Sequence, residues 1–211
     1  MDKVFNELQK SHRSLERKRL RVLVIKTGHS ETLDSESSGI VSLGDVLRST
    51  VILHLFPNTT HRVTWLTDAQ ASPLLKEIPW IDRILQYGPI MHDGLSREEF
   101  DVVINLEKMP ELCYLASTIR AERKFGFGRD NLTGDLKAYP GAETALRICT
   151  DDVAKNSHHQ SWSEHLFGIF GANYGGEACL IHGGNGDMNV FDVGLNHKVG
   201  VKFPLKRWPA E

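Results

Sequence analysis

A lysine and an aspartate that follow the first apolar run of the chain could together handle an anionic ligand and a proton. The run covers residues 22–25, Lys26 ends it, and Asp45 follows Gly44 where a helix is expected to begin. In a parallel sheet the ligand-binding loops lie at the carboxyl ends of the strands. Lys26 could then pair with a substrate phosphate or carboxylate, or with Asp45. Asp45 could act as a general base, because the start of a helix favours an ionised carboxylate.

Both residues also have a purely structural interpretation. Aspartate is a common N-cap, so Asp45 could simply begin a helix. Lys26 could be a strand-end lysine that reaches solvent, although a buried lysine is rare unless it is paired. The sequence leaves both interpretations of Asp45 open.

A second polar group follows the predicted strand at residues 101–106. Asn105, Glu107 and Lys108 belong to the loop that should face the same cleft as the loop after the first strand. The structural alternative is a turn that leads into a helix at Pro110. We include Asn105 and Lys108 among the candidate substrate-binding residues.

Basic residues gather near the end of the chain, beside glycines. Lys198, Lys202, Lys206 and Arg207 could clamp a diphosphate, because lysines and glycine backbone amides together bind phosphate well. The alternative is a charged loop close to the chain end.

Several classes of site are disfavoured by missing motifs. The chain has no GxGxxG after the first strand and no GxxxxGK[ST], which argues against a nicotinamide dehydrogenase and a P-loop nucleotidase. It has no GxSxG, so a small-molecule hydrolase or kinase-like enzyme is a weaker interpretation. His158, His159 and His165 lack a recognised zinc spacing, and a surface helix explains them more simply. We therefore expect neither a metal nor a bound cofactor.

Strands and helical segments alternate along the chain, which predicts βαβ units and an α/β fold with a parallel sheet. The predicted strands cover residues 22–25, 62–66, 81–85, 101–106 and 124–127. The predicted helices cover residues 45–55, a segment from a Thr67-Asp68 cap to Leu75, and residues 110–119, 142–148 and 162–170. Residues 128–140 are predicted to be a loop. Right-handed crossovers should bring the loops after strands one and four to the same edge.

Changes in composition divide the chain into four parts. Residues 1–20 are predicted to be a helical extension, and residues 21–170 the main domain. Residues 171–189 are rich in Gly and Asn and are predicted to be a linker. Residues 190–211 are predicted to open a second domain.

Composition narrows the class of protein. The chain has 211 residues, of which 40% are hydrophobic and 25% are charged, with a net charge of −2. A net charge this close to zero gives no electrostatic reason to expect nucleic-acid binding. No apolar stretch approaches the roughly 20 residues of a membrane span. Cys113, Cys149 and Cys179 form no CxxC pair, which fits a reducing cytoplasm.

Six segments, in this order, resemble glycosyltransferase family 9, the heptosyltransferase family. They are VLVIK, LGDVLRST, HRVTWLTDAQASPLL with PWIDRIL, FDVVINLEK, RAERKFGFG and VGLNHKVGVKFPLKRWP. The resemblance covers residues 21–209. It implies the GT-B fold, in which two Rossmann-like domains face a cleft. This chain would then be the N-terminal, acceptor-side half with only the start of the donor-binding domain.

The resemblance also implies a reaction. Family members transfer a sugar from a nucleotide-sugar, typically ADP-heptose, with inversion and without a metal. Asp45 would be the base, Lys26 would act beside it, and Lys206 would contact the donor phosphate. The candidate site is therefore Asp45 and Lys26 for catalysis, Gly44, Asn105 and Lys108 for substrate binding, and Lys202 and Lys206 for donor phosphate.

These expectations lead to a hypothesis about function. The chain would take part in lipopolysaccharide biosynthesis in the cytoplasm, at the inner face of the membrane if its glycan acceptor is lipid-linked. Alone it should transfer sugar poorly, and it would work with a donor-binding domain or as a homo-oligomer. The alternative is a non-catalytic module that keeps the fold and binds a glycan or a partner chain.

Overall fold

A six-stranded sheet forms the centre of the computed structural model, which describes residues 19–29, 41–88 and 91–180. Its strands, in chain order, are β1 Leu20–Ile25, β2 His61–Thr67, β3 Arg83–Gln86, β4 Glu99–Asn105, β5 Arg120–Arg129 and β6 Leu136–Ala138. They lie in the order β3-β2-β1-β4-β5-β6. All neighbours pair in parallel except β5 and β6. The predicted α/β fold with a parallel sheet is confirmed.

Helices connect the strands and cover both faces of the sheet. They are α1 Leu43–Ser49 continued by the 3₁₀ helix Thr50–Leu55, α2 Ser72–Leu75, α3 Met91–Ser96, α4 Pro110–Thr118, α5 Glu143–Thr150, α6 Asp152–Ser157 and α7 Trp162–Gly168. None of the helices described is long and apolar enough to cross a membrane.

The direction of strand order reverses between β1 and β4. From β1 the chain builds β2 and β3 on one side, and β4 then pairs with the other side of β1, with Ile25 opposite Asn105. In doubly wound sheets ligands bind outside the carboxyl ends of the strands at such a switch point. The loops after β1 and β4 therefore meet where a ligand is expected, as the crossover rule predicts.

The two faces of the sheet carry separate apolar clusters because side chains alternate along each strand. Val22 and Val24 of β1 pack with α1, the 3₁₀ helix and α7, whereas Leu23 and Ile25 pack with α4. These four side chains of β1 are fully buried. By this alternation Lys26 follows Val22 and Val24 onto the face that α1 covers.

Two of the predicted elements are wrong. Residues 128–140 are not a loop, because β5 continues to Arg129 and β6 returns beside it. The chain reverses at Asp130, whose Oδ1 accepts hydrogen bonds from the amides of Leu132 and Thr133. These bonds lower the pKa of the Asp130 carboxyl.

The predicted Thr67-Asp68 cap is also wrong. Asp68 Oδ1 accepts a hydrogen bond from the Gln70 amide in a turn, and α2 begins only at Ser72.

The described part of the predicted linker packs against the domain. The hydroxyl of Thr50 accepts a hydrogen bond from the Leu180 amide (2.8 Å), and its one proton lies within reach of the carbonyls of Leu47 (2.7 Å) and Leu180 (3.1 Å). His54 Nε2 lies 3.0 Å from the Ala178 carbonyl oxygen, and Cys179 is buried. Residues 1–18 of the predicted helical extension and the predicted second-domain start at residues 190–211 lie outside the described residues.

Candidate functional site

The loop after β1 is organised around one buried carboxylate from the loop after β4. Glu107 Oε1 accepts hydrogen bonds from the Thr27 amide (2.6 Å), the Gly28 amide (2.7 Å) and the Thr27 hydroxyl (3.0 Å). Lys26 Nζ lies 3.6 Å from the same oxygen. Glu107 has no exposed surface, so this contact joins the two loops of the switch point inside the protein.

Lys26 is buried, and its ion pair is with Glu107. Only 3% of its side chain is exposed. A buried charge is costly unless it is paired, and Glu107 supplies the opposite charge. The Lys26 backbone continues the ladder of β1, since its amide donates to the Leu66 carbonyl (3.0 Å). Lys26 therefore belongs to a fixed part of the sheet edge.

Asn105 holds the β4 loop in place. Its Nδ2 donates to the carbonyls of Glu107 (3.0 Å) and Phe127 (2.8 Å), and its Oδ1 accepts from the Glu107 amide (3.0 Å). Asn105 is fully buried. Its observed contacts set the position of Glu107, and its predicted contact with substrate stays a prediction.

Asp45 lies in the first turn of α1, next to the loop after β1. The N-cap of α1 is Ser42, whose amide donates to the Gly28 carbonyl (2.9 Å). The interpretation of Asp45 as the N-cap is therefore wrong. Asp45 is 2% exposed, and its Oδ1 forms an ion pair with Arg48 Nη2 one turn later.

The other predicted residues are spread along this edge. Gly44 is exposed, with no atom within 4 Å of the position a Cβ would take. Lys108 is half-buried beside Glu107. The predicted donor-phosphate residues, Lys202 and Lys206, lie outside the described residues.

A histidine and an aspartate also join the loops after β1 and β2. His29 Nε2 lies 3.0 Å from Asp68 Oδ2, and both side chains are mostly buried. This pair widens the polar edge from β4 across β1 to β2.

Buried polar atoms without hydrogen-bond partners concentrate at this edge. Within the described residues they are Asp45 Oδ2, Thr67 Oγ1 and Glu107 Oε2, besides Asp45 Oδ1, which is ion-paired with Arg48. Thr67 ends β2, Glu107 follows β4, and Asp45 lies in α1 beside the loop after β1. Such atoms are uncommon in native proteins and need an explanation. Their concentration makes this edge the candidate functional site.

A separate polar pocket of about 530 Å³ lies between α5 and α7. Glu164 and His165 help to line it, and hydrogen bonds from Ser161 lower the pKa of Glu164. None of the predicted site residues lines this pocket. No group of three or more His, Cys, Asp or Glu side chains in the described ranges is arranged to hold a metal ion.

Glu107 is the organising residue that the sequence interpretation left out of the site. A signal was present, because a lysine at the end of a buried strand needs a counter-ion. A glutamate after a strand at the same edge could supply it. The sequence alone did not show that the Glu107 side chain turns inward, since this depends on Asn105 and on Cys113, whose Sγ donates to the Glu107 carbonyl (3.2 Å).

No family model matches this chain, and no curated protein matches its sequence. Solved structures that it is similar to include a glycosyl transferase family 9 protein from Veillonella parvula DSM 2008, with 22% identity and a TM-score of 0.39 over 57% of this chain and 34% of that one. Escherichia coli heptosyltransferase WaaC with ADP has 15% identity and a TM-score of 0.43 over 74% of this chain and 47% of that one. WaaC with ADP-2-deoxy-2-fluoro heptose has 16% identity and a TM-score of 0.43, over 73% and 49%. The chain thus spans less than half the length of each.

Proposed function

We propose that this chain is the acceptor-side half of a GT-B glycosyltransferase that transfers a sugar, with inversion and without a metal, from a nucleotide-sugar such as ADP-heptose to a glycan or lipopolysaccharide acceptor. The observation that carries the proposal is the burial of the Asp45 and Glu107 carboxylates beside the β1–β4 switch point, each with one oxygen, Asp45 Oδ2 and Glu107 Oε2, that has no hydrogen-bond partner. The order of the family-like segments in the sequence supports it. We place the protein in the cytoplasm, where it would meet a lipid-linked acceptor at the inner face of the membrane.

In the proposed reaction Asp45 accepts the proton of an acceptor hydroxyl. That oxygen forms a bond to the anomeric carbon from the side opposite the diphosphate, and the bond from the anomeric carbon to the diphosphate oxygen breaks. Lysine side chains and backbone amides would stabilise the leaving diphosphate. The chemistry parallels that of inverting glycosidases, with the acceptor hydroxyl in place of water.

Replacing Asp45 with Asn tests the assignment of the base. We expect Asp45→Asn to lower transfer of heptose from ADP-heptose to a lipopolysaccharide acceptor by about 10²–10⁴-fold, the usual contribution of a general base. The assay uses the chain together with a nucleotide-sugar-binding domain, because we expect the chain alone to transfer poorly.

Asp151→Asn is the matched control. Asp151 caps α6 by accepting hydrogen bonds from the amides of Val153 and Ala154, so its loss should cost about 1 kcal/mol of stability and leave transfer unchanged. Equal transfer by the two variants would contradict the role of Asp45. Micromolar binding of ADP-heptose by this chain alone would contradict the acceptor-side assignment.

The ion pair between Asp45 and Arg48 favours a second candidate function, that of a non-catalytic binding module. The Asp45 side chain is buried and forms this ion pair, as a structural carboxylate would. In a non-catalytic module that binds a glycan or partner chain, Asp45→Asn would lower stability and leave glycan binding intact. Measuring acceptor binding and transfer in the same variant separates the two functions.

A further inference from the structure

The donors around Glu107 Oε1 match those that proteins use to bind phosphate. Two successive backbone amides, a hydroxyl and an ammonium group all point at this single oxygen, at 2.6 to 3.6 Å. Successive amides of this kind form concave anion sites, which lysine often completes. In doubly wound sheets such a site commonly holds a ligand phosphate after the first strand. Here the anion is a side chain of the protein.

The backbone of this cradle is fixed independently of Glu107. Gly28 has a φ of +93°, and a Cβ there would lie 2.9 Å from Val41 Cγ1 and 3.0 Å from the Ser42 carbonyl oxygen. The Lys26 amide is also held by β2 through Leu66. The amides of Thr27 and Gly28 should therefore keep their directions when the Glu107 side chain is shortened.

We propose that Glu107 is a specificity-determining residue: an internal anion that occupies the phosphate-type cradle at the switch point and excludes phosphate and carboxylate groups of ligands from it. The group of a ligand that approaches the loop after β1 would consequently be uncharged. The proposal concerns which ligand groups this loop admits, and it holds whether or not the chain takes part in sugar transfer.

The test opens the cradle with Glu107→Ala and offers inorganic phosphate. Urea unfolding is measured in sodium phosphate and in sodium chloride of equal ionic strength, for the wild type, Glu107→Ala and Glu111→Ala. Glu111 is an exposed carboxylate in the first turn of α4, so its loss matches the change in charge without opening the cradle.

Phosphate is excluded from protein surfaces and should stabilise all three chains to a similar extent. We expect an additional stabilisation in Glu107→Ala: the ratio of folded to unfolded protein should rise about tenfold beyond the rise in wild type when phosphate exceeds its dissociation constant about tenfold. Formate, which replaces the missing carboxylate, should also stabilise this variant. In the folded variant, phosphate should shift the NMR signals of the Thr27 and Gly28 amides, and in the wild type it should leave them unmoved.

Glu107→Gln separates loss of charge from opening of the cradle. The glutamine amide fills the same space and keeps an oxygen for the two backbone amides, so we expect phosphate to stabilise this variant no more than it stabilises wild type. A phosphate effect in Glu107→Gln as strong as in Glu107→Ala would overturn the proposal. It would also be overturned by equal effects in wild type and Glu107→Ala, or by a Glu107→Ala chain that stays unfolded in every salt.

Discussion

At the end of β1 the charged side chains are directed into the protein. Lys26, Asp45 and Glu107 are each at most 3% exposed, and each faces an oppositely charged group. Removing charges from water is expensive, and their mutual attraction compensates for it only when geometry and hydrogen bonding are good. The arrangement therefore fixes side-chain positions at some cost in stability. Preorganisation of this kind is what a catalytic or binding site requires.

The reactivity of the Cys113 thiol measures whether the loop after β4 stays closed. Cys113 Sγ donates to the Glu107 carbonyl, and burial raises the pKa of this thiol to about 11. Because the thiolate is the reactive form, at about pH 8 Cys113 should react with iodoacetamide about 100-fold more slowly in the folded chain than in urea. Mass spectrometry of the labelled peptides measures both rates. The half-buried Cys149 serves as the internal control and should react faster than Cys113. Rapid native labelling of Cys113 would mean that the loop opens.

Among the elements, β4 and β5 meet at a glycine where the site begins. Gly126 lies opposite Asn105 with a φ of +83°, and a Cβ at Gly126 would lie 1.9 Å from the Asn105 carbonyl oxygen. Only glycine fits both the backbone conformation and the space. Beside this glycine the Asn105 side chain donates to the Phe127 carbonyl, which helps to hold the loop that carries Glu107.

Gly126→Ala should consequently destabilise the fold by about 3 kcal/mol or more, since the clash is with backbone atoms and the residue would be strained. Gly44→Ala is the matched control, because a Cβ there meets no atom within 4 Å and the residue is helical. It should raise stability by about 0.5–1 kcal/mol. Urea unfolding gives both values, and equal effects would contradict the close packing of β4 and β5.

The sequence predicted the elements that have a simple physical signature. Continuous apolar runs revealed β1 and β4, and the crossover rule brought their loops together. The short strand β6 was missed because three half-buried residues make no recognisable run, and its place depends on the turn at Asp130. Lys26 and Asp45 were predicted at the site edge from residue type and position. The contacts of Glu107 were not predicted, because they are tertiary hydrogen bonds to a loop 80 residues away in the sequence.

On the scale of the whole molecule, the two ends of the sheet hold their charges differently. At the amino end Arg21 and Arg83 both pair with Glu98, and all three side chains are 28–39% exposed. Exposed pairs of this kind contribute little each, about 0–1 kcal/mol. At the carboxyl end both partners of the Lys26–Glu107 pair are buried, and Asp45 is buried in its pair with Arg48. The amino end therefore resembles an ordinary solvated surface, and the carboxyl end carries the features of a site.

The segment that follows α7 is attached to this body through Thr50. Thr50→Val keeps the shape of the side chain but removes the oxygen that accepts from the Leu180 amide and the proton that the Leu47 and Leu180 carbonyls share. Leaving these buried groups unpaired should cost about 1–3 kcal/mol and speed hydrogen exchange of the Leu180 amide. Thr118→Val, which removes only a local bond to the Leu115 carbonyl, should not change that exchange rate. Unaltered exchange in Thr50→Val would show that Thr50 does not hold the segment.

The outer strands of the sheet bear on how copies of this protein behave at high concentration. β3 has four residues, and β6 covers only residues 127–129 of β5, so in the described sheet the outer side of β5 at residues 120–126 has no neighbouring strand. This stretch carries Arg120, Glu122, Arg123 and Lys124. Natural proteins use short edge strands and charged edge residues to prevent sheets of separate molecules from joining. A dimer of this chain would therefore be expected to form through helices or loops rather than by extending the sheet from one molecule into the next.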